Sequence, residues 1–279
     1  MIPPEFDYVA PESLDEVLSA LRDGGEDAKV LAGGHSLLPL MKLRLAAPTL
    51  LVDLRKLPGL RGAQRENGQW KIGAMTRHVD LQGNPDLGPV GQATALIADQ
   101  QVRNRGTIGG SLAHGDPASD LPTVLVACEG SVTITGSDGT REVAAGDLFQ
   151  DYLTTAVGSG EVLTEVRVPD FAGWGSSYKK FTRRAEDWAM VGVVAMVKKA
   201  GDGSVEDVRV AFTNMGSTPI RATATEEALR GKGVDGIAAA AEQAAEGTDP
   251  PGDLNATPDY KRHLARVLTR RALEEAAAG

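Results

Sequence analysis

The chain is poor in cysteine and histidine and has no long apolar run, and each shortage removes a class of chemistry. Cys128 is the only cysteine among 279 residues. One thiol cannot close an internal disulfide, build a cysteine zinc site or hold an iron–sulfur cluster. If the chain handles electrons, its metal centres must lie in another one. The four histidines, His35, His78, His114 and His263, show no H-x-x-x-H or H-E-x-x-H spacing, so no metal site is expected. No apolar stretch approaches the roughly 20 residues of a membrane span. The opening Met1-Ile-Pro-Pro-Glu-Phe-Asp lacks the basic and apolar regions of a secretory leader, which points to a cytoplasmic protein. A formal charge of −9 argues against nucleic acid or an anionic membrane as the main partner. Neither a G-x-x-x-x-G-K loop nor a G-x-S-x-G elbow occurs, which leaves P-loop and serine-hydrolase chemistry without support. The remaining composition, 42% hydrophobic and 24% charged, suits a well-packed core in one large domain or two to three small ones.

What is present is a pair of glycine segments. The first is Leu31-Ala-Gly-Gly-His-Ser-Leu-Leu-Pro-Leu-Met-Lys42, the second Thr107-Ile-Gly-Gly-Ser-Leu-Ala-His-Gly-Asp-Pro-Ala-Ser-Asp120. Glycine permits positive φ and close approach to the main chain. Consecutive amides in such a turn form an anion-binding concavity, and two of them can close on one diphosphate. Either segment alone can also be read as an ordinary tight turn after a strand; the recurrence favours a ligand site. His35 and His114 lie beside these segments, placed either to hydrogen-bond a ligand or simply in loops.

Ser13-Leu-Asp-Glu16 has capping-box spacing and predicts a helix that stops at Gly24-Gly25. Strands are expected over 29–32 and 49–54, joined through a short helix or irregular turn over 36–45. Together these suggest a compact α/β unit with parallel pairing. Residues 58–69 read as a connection, 70–75 as a strand and 89–97 as a helix. The apolar run 121–127 fits helix or strand. A hairpin is expected over 131–144 around Ser137-Asp-Gly-Thr140, and a strand over 161–168. After a composition shift at Phe171-Ala-Gly-Trp-Gly175, strand-like 177–182, 188–197 and 205–213 predict an antiparallel sheet. Helices over 223–230, over 234–245 and from about Thr257 should pack on it.

Three further patterns leave alternatives open. Asp116 and Asp120 fit a paired-carboxylate site, or Asp120 caps the following helix. Lys179-Lys180-Phe-Thr-Arg183-Arg184 fits a solvated face, or a strand that turns one cation inward to an anionic or electron-rich ligand. Gly231-Lys-Gly-Val-Asp-Gly236 matches a dinucleotide fingerprint, but a helix precedes it where a strand is required, so the match is accidental.

The assembled motifs resemble the FAD-binding medium subunits of the molybdenum hydroxylase family, which includes xanthine dehydrogenase and carbon monoxide dehydrogenase. The matching pieces are Ala32-Gly-Gly-His-Ser-Leu37, Thr107-Ile-Gly-Gly-Ser111, Asp116-Pro-Ala-Ser-Asp-Leu121, Tyr178-Lys179, Thr182-Arg-Arg-Ala-Glu-Asp-Trp-Ala189 and Asn214-x-Gly-x-x-Pro219-x-Arg221. They occur in family order along nearly the whole chain. The resemblance implies an α+β protein: a two-part FAD-binding α/β region of the vanillyl-alcohol-oxidase type, then a C-terminal antiparallel-sheet-plus-helices domain. The corresponding divisions are 1–56, 57–173 and 174–279. The implied FAD contacts are Leu31, Ala32, Gly33, Gly34, His35, Ser36 and Leu37 in the first segment and Thr107, Ile108, Gly109, Gly110, Ser111 and His114 in the second. Asp120, Leu163, Lys179 and Trp188 complete the set, with Trp188 standing where relatives often carry Tyr or Ile.

The implied function is electron transfer through FAD, with no side chain needed as acid or base. Substrate oxidation would occur at a molybdenum cofactor in a large partner subunit. Electrons would arrive through two [2Fe–2S] clusters in a small partner subunit and leave to a terminal acceptor. The assembly expected is a dimer of heterotrimers, cytoplasmic or peripheral at the inner membrane face. A stand-alone flavin oxidoreductase of the same fold and a non-catalytic assembly subunit are the alternatives.

Overall fold

The computed structural model describes residues 2–279. The chain opens with β1 (Asp7–Val9), α1 (Leu14–Gly24), β2 (Ala28–Leu31), α2 (Leu37–Lys42) and β3 (Leu50–Asp53). The strands form a parallel sheet in the order β1-β3-β2. Ser13 caps α1 by accepting the Glu16 amide. The Glu16 carboxylate reaches back to the Glu12 amide, one residue before the position a capping box specifies. β1 is exposed throughout, carries no alternation and was not expected.

The second unit contains β4 (Ala63–Glu66), β5 (Gln69–Gly73), α3 (His78–Leu81), α4 (Pro89–Ala95), α5 (Gln100–Arg103), α6 (Ile108–His114) and α7 (Asp120–Ala127). It continues through β6 (Ser131–Gly136), β7 (Gly139–Ala144), α8 (Ala145–Leu148), β8 (Phe149–Asp151), β9 (Thr154–Thr155) and β10 (Val162–Pro169). Five strands form an antiparallel sheet ordered β4-β5-β10-β6-β7. Two expectations change here. Residues 58–69 are not merely a connection, because β4 pairs with β5 across Asn67-Gly68, both at positive φ as a tight hairpin requires. The second glycine segment is not a loop either: Thr107 caps α6, and both glycines lie in its first turn. The ambiguous run 121–127 is helical.

The third unit has β11 (Trp174–Phe181), β12 (Val191–Lys199), β13 (Val205–Thr213), β14 (Ile220–Arg221), α9 (Thr223–Leu229), α10 (Ile237–Ala241) and α11 (Pro258–Ala278). The expected helix over 234–245 is divided, with α10 flanked by 3-10 turns. The four strands form an antiparallel sheet in chain order.

Both faces of this last sheet are covered. Tyr178, Val194, Met196 and Ala211 join the core of the second unit. Val193, Ala195, Val197 and Phe212 face the other way, against Leu264, Leu268 and Leu273 of α11. Double burial explains why β12 reads as an unbroken apolar run rather than an alternating one. Residues of β11 alternate in the same sense: the Ser176 hydroxyl accepts from Gln92 on one face, while Lys179 pairs with Glu275 of α11 on the other.

The tightest helix contact is at Gly175, where a methyl group would come within 1.8 Å of the Ala276 carbonyl oxygen. Gly175→Ala is expected to lower stability by about 1–3 kcal/mol through overpacking. Urea unfolding of the two proteins side by side measures it.

Candidate functional site

β2 leads directly into the first glycine segment, and α6 brings the second against it. The glycines act chiefly by allowing contact. A methyl group at Gly33 would lie 2.4 Å from the Arg105 carbonyl oxygen, and one at Gly109 2.5 Å from the Ala74 Cβ. At Gly110 it would lie 2.8 Å from the Thr107 Oγ1 and 3.5 Å from the Ala32 Cβ. Among these four glycines only Gly34 needs its conformational freedom, with φ at +81°.

The two segments differ in what they offer. Among the described residues, no acceptor takes the amides of Gly33, Gly34, His35 or Ser36. In the second segment the amides are spent. Ile108 donates to the Thr76 carbonyl at 3.0 Å and Gly109 to the Ala74 carbonyl at 2.9 Å. Gly110 donates to the Thr107 hydroxyl at 3.2 Å and Ser111 to the Thr107 carbonyl at 3.0 Å. The first segment is therefore the donor-rich wall, and the second contributes the side chains of Ser111 and His114.

Between them lies a cleft of about 630 Å³, within the range of small-molecule sites. Residues 32–37 line it, as do Thr107, Gly109, Gly110, Ser111, His114, Asp120, Leu163 and Trp188. Leu31 and Ile108 do not: the Leu31 side chain packs beneath Gly34, and Ile108 is buried in the core. Lys179 is absent from the lining too, since its position in β11 directs it to α11. Lys180, one residue on, takes the place by the twofold alternation of a strand. Alternation alone pointed to a single inward cation without choosing between the two lysines. Further lining residues that carried no sequence signal include Met75, His78, Ile97, Val102 and Gly106.

Lys180 and Asp120 form a buried ion pair, Nζ to Oδ2 2.9 Å, with side chains only 5% and 4% exposed. Lys180 also donates to the Leu96 carbonyl at 3.1 Å. The other Asp120 oxygen accepts the Tyr178 hydroxyl at 2.5 Å. From there the polar chain continues to Thr213 at 3.3 Å and Thr123 at 2.9 Å, where the Thr123 hydroxyl donates to the Phe212 carbonyl. Burial pushes the Asp120 carboxyl upward, opposed by the Lys180 ammonium and the Tyr178 hydroxyl. The Tyr178 phenol is pushed well above its ordinary value by burial and by the adjoining carboxylate. Asp116 does not converge on Asp120. Its carboxylate accepts the Ala118 amide at 2.8 Å, and it lines a second cleft of about 880 Å³. Trp188, 57% exposed, borders both clefts.

Burial lowers the imidazoles of His35 and His114 from their ordinary value. His78, nearly enclosed and close to His35 and Arg103, is lowered to about 4, chiefly by desolvation. An unfolded His78 would bind a proton near pH 6.5 that the folded chain refuses until about pH 4. Stability of the ligand-free chain should therefore fall as pH drops across that window, by up to about 3 kcal/mol from this group. His78→Gln should flatten the slope between those limits, read from urea unfolding at a series of pH values.

A family model for the FAD binding domain in molybdopterin dehydrogenase matches residues 4–171, and one for the CO dehydrogenase flavoprotein C-terminal domain matches residues 176–276. The chain is 42% identical over 285 residues to the carbon monoxide dehydrogenase medium chain of Hydrogenophaga pseudoflava, covering 100% of this chain and 99% of that one. It is 38% identical to the 6-hydroxypseudooxynicotine dehydrogenase complex subunit alpha of Paenarthrobacter nicotinovorans, covering 99% and 96%. A solved structure of the Hydrogenophaga pseudoflava carbon monoxide dehydrogenase superposes with a TM-score of 0.95 at 44% identity, covering 100% of this chain and 99% of that one.

Proposed function

The chain belongs to the family of FAD-binding medium subunits of molybdenum hydroxylases, and from that membership we propose how its cleft serves electron transfer. The observation that carries the reading is the row of unspent amides at residues 33–36, on a cleft wall where Gly33 lies close against the Arg105–Gly106 backbone. Unspent amides suit an anionic diphosphate, and the cleft has the size and apolar lining a dinucleotide needs. The residues present fit FAD.

In this reading Gly33, Gly34, His35 and Ser36 hold the diphosphate through their main chain, with Ser111 and His114 facing them across the cleft. Burial favours the neutral form of the His35 and His114 imidazoles in the ligand-free chain, which suits them to donate or accept hydrogen bonds at the cleft wall. Leu163 and Trp188 line the cleft where they would adjoin the isoalloxazine, and the Lys180–Asp120 pair lies in the same wall. Bound FAD supplies a group that takes electrons one at a time and releases them as a pair. The chain's own share is to bind, orient and tune.

The partners in this reading are a small subunit with two [2Fe–2S] clusters and a large subunit with the molybdenum cofactor, assembled as a dimer of heterotrimers. The single buried Cys128 supports that division of labour, since iron–sulfur ligands must come from elsewhere. No helix among the described residues is long and apolar enough to cross a membrane, which is compatible with a cytoplasmic location. The sheet memberships support the divisions 1–56, 57–173 and 174–279.

Two measurements test the proposal. The purified chain incubated with FAD should show a protein-bound flavin absorption band and release FAD on denaturation. Gly33→Val, which drives a side chain into the Arg105 carbonyl, should lose that band on gel filtration while keeping a folded circular dichroism spectrum. Coexpressed with the small and large subunits, the flavin should bleach on addition of the complex's substrate only when the small subunit is present. Bleaching by a substrate with the chain alone would instead identify a stand-alone flavin oxidoreductase.

A further inference from the structure

Trp188 stands between two clefts, and the second is built from different chemistry than the first. It is enclosed by the turn before α7, by Tyr152 between β8 and β9, by the loop that follows β13 and by the strap that precedes α11. Two aromatic side chains, Trp188 and Tyr152, are 57% and 62% exposed along it and offer flat faces for stacking. Among the described residues, no acceptor takes the amides of Gly216, Ser217 or Thr218, which line the same cleft. No lysine, arginine or histidine lines it, whereas Asp116, Asp249 and Asp253 do. Lys261 holds Asp253 at 2.7 Å and Arg262 comes within 3.9 Å of Asp249, both from outside the lining. The Asp116 carboxylate is met by the Ala118 amide.

This set of groups selects by charge. A nicotinamide dinucleotide would bring a diphosphate into a cleft that offers carboxylates and no cation, where like charges repel. A neutral ring bearing carbonyl groups meets no such cost. It stacks on the aromatic faces, and its oxygens accept the unspent amides. Resting on the FAD reading above, we propose that the second cleft binds the terminal electron acceptor, a neutral quinone, and that Trp188 is the wall through which it is reached from the flavin. Reduced FAD gives up two electrons and the proton it carries. The quinone takes both electrons, that proton and one more from solvent, and becomes the hydroquinone. Acceptor molecules then come and go in the second cleft while FAD stays in the first.

The test begins without cofactor. The full chain is titrated with a short-chain benzoquinone, and binding is read from quenching of tryptophan fluorescence and from equilibrium dialysis. Saturable binding is expected for the quinone and none for NAD at the same concentration. Ser217→Trp, which puts an indole into the cleft from an exposed position, should weaken quinone binding about tenfold. Tyr152→Ser removes one stacking face and should weaken it several-fold, which keeps the test open if the larger replacement fails to fold. In a second stage the FAD-loaded chain, photoreduced without oxygen, should be reoxidised by the quinone and not by NAD. Ser217→Trp should slow that step while leaving FAD content and reoxidation by ferricyanide unchanged. Quinone binding that neither variant weakens, tight binding of NAD, or equal slowing with quinone and ferricyanide would overturn the assignment. A parent chain that takes up FAD but no quinone overturns this assignment alone. One that takes up no FAD, alone or with its partner subunits, overturns the FAD reading itself.

Discussion

Every second residue of β11 belongs to a different half of the molecule, and much of the architecture follows from that parity. Ser176, Tyr178 and Lys180 face α4, α7 and the cleft, while Gly175 and Lys179 face α11. A slip of one residue in the pairing of β11 with β12 would exchange the two sets. It would aim Lys179 at Asp120 and drive Tyr178 into the helix. The sheet is thus a shared wall, with an apolar core on each side and one buried charged pair at its margin. Breaking such a pair by removing one partner costs about 3–5 kcal/mol, whereas replacing both by apolar groups can be nearly neutral. Its presence in a cleft wall is therefore better explained by what it does there than by what it adds to stability.

The two glycine segments divide their labour differently from their similar spelling. Both use glycine to bring backbone against backbone, at Gly33 on Arg105 and at Gly109 on Ala74. Only the first leaves amides unspent. In the second, Thr107 and the neighbouring carbonyls consume them to start α6, which leaves a firm floor rather than a second cradle. Unmatched donors are costly when shut away from water and cheap beside a cleft. The donor-rich face can therefore stand ready without destabilising the fold.

Much of this was legible in the sequence because it rests on local rules. The cap at Ser13, the hairpin around Asp138-Gly139 and the late helix starting after Thr257 all follow from residue chemistry within a few positions. The order of the motifs carried the family. What was missed depends on long-range context. Lys180 differs from Lys179 only in parity, and parity is set by where β11 begins and by which helix covers each face. Leu31 and Ile108 belong to the right segments but turn inward to pack. β4 is polar and exposed, so it shows no alternation, although the Asn67-Gly68 turn that closes it was a readable sign. Within 234–245 the first break falls at Gly236, a poor helix former, whereas the 3-10 turn over 242–245 follows no residue signal, since the alanines favour a continuous helix.

Cys128 caps α7 with its side chain fully enclosed, and burial raises its thiol well above the usual range. Reduced flavins that meet dioxygen generate peroxide, and the species peroxide attacks is a thiolate within reach of solvent. Here neither condition holds. The one residue that could be lost to sulfenic or sulfinic acid is kept protonated and out of contact, so the thiol can sit beside a redox cofactor without being oxidised.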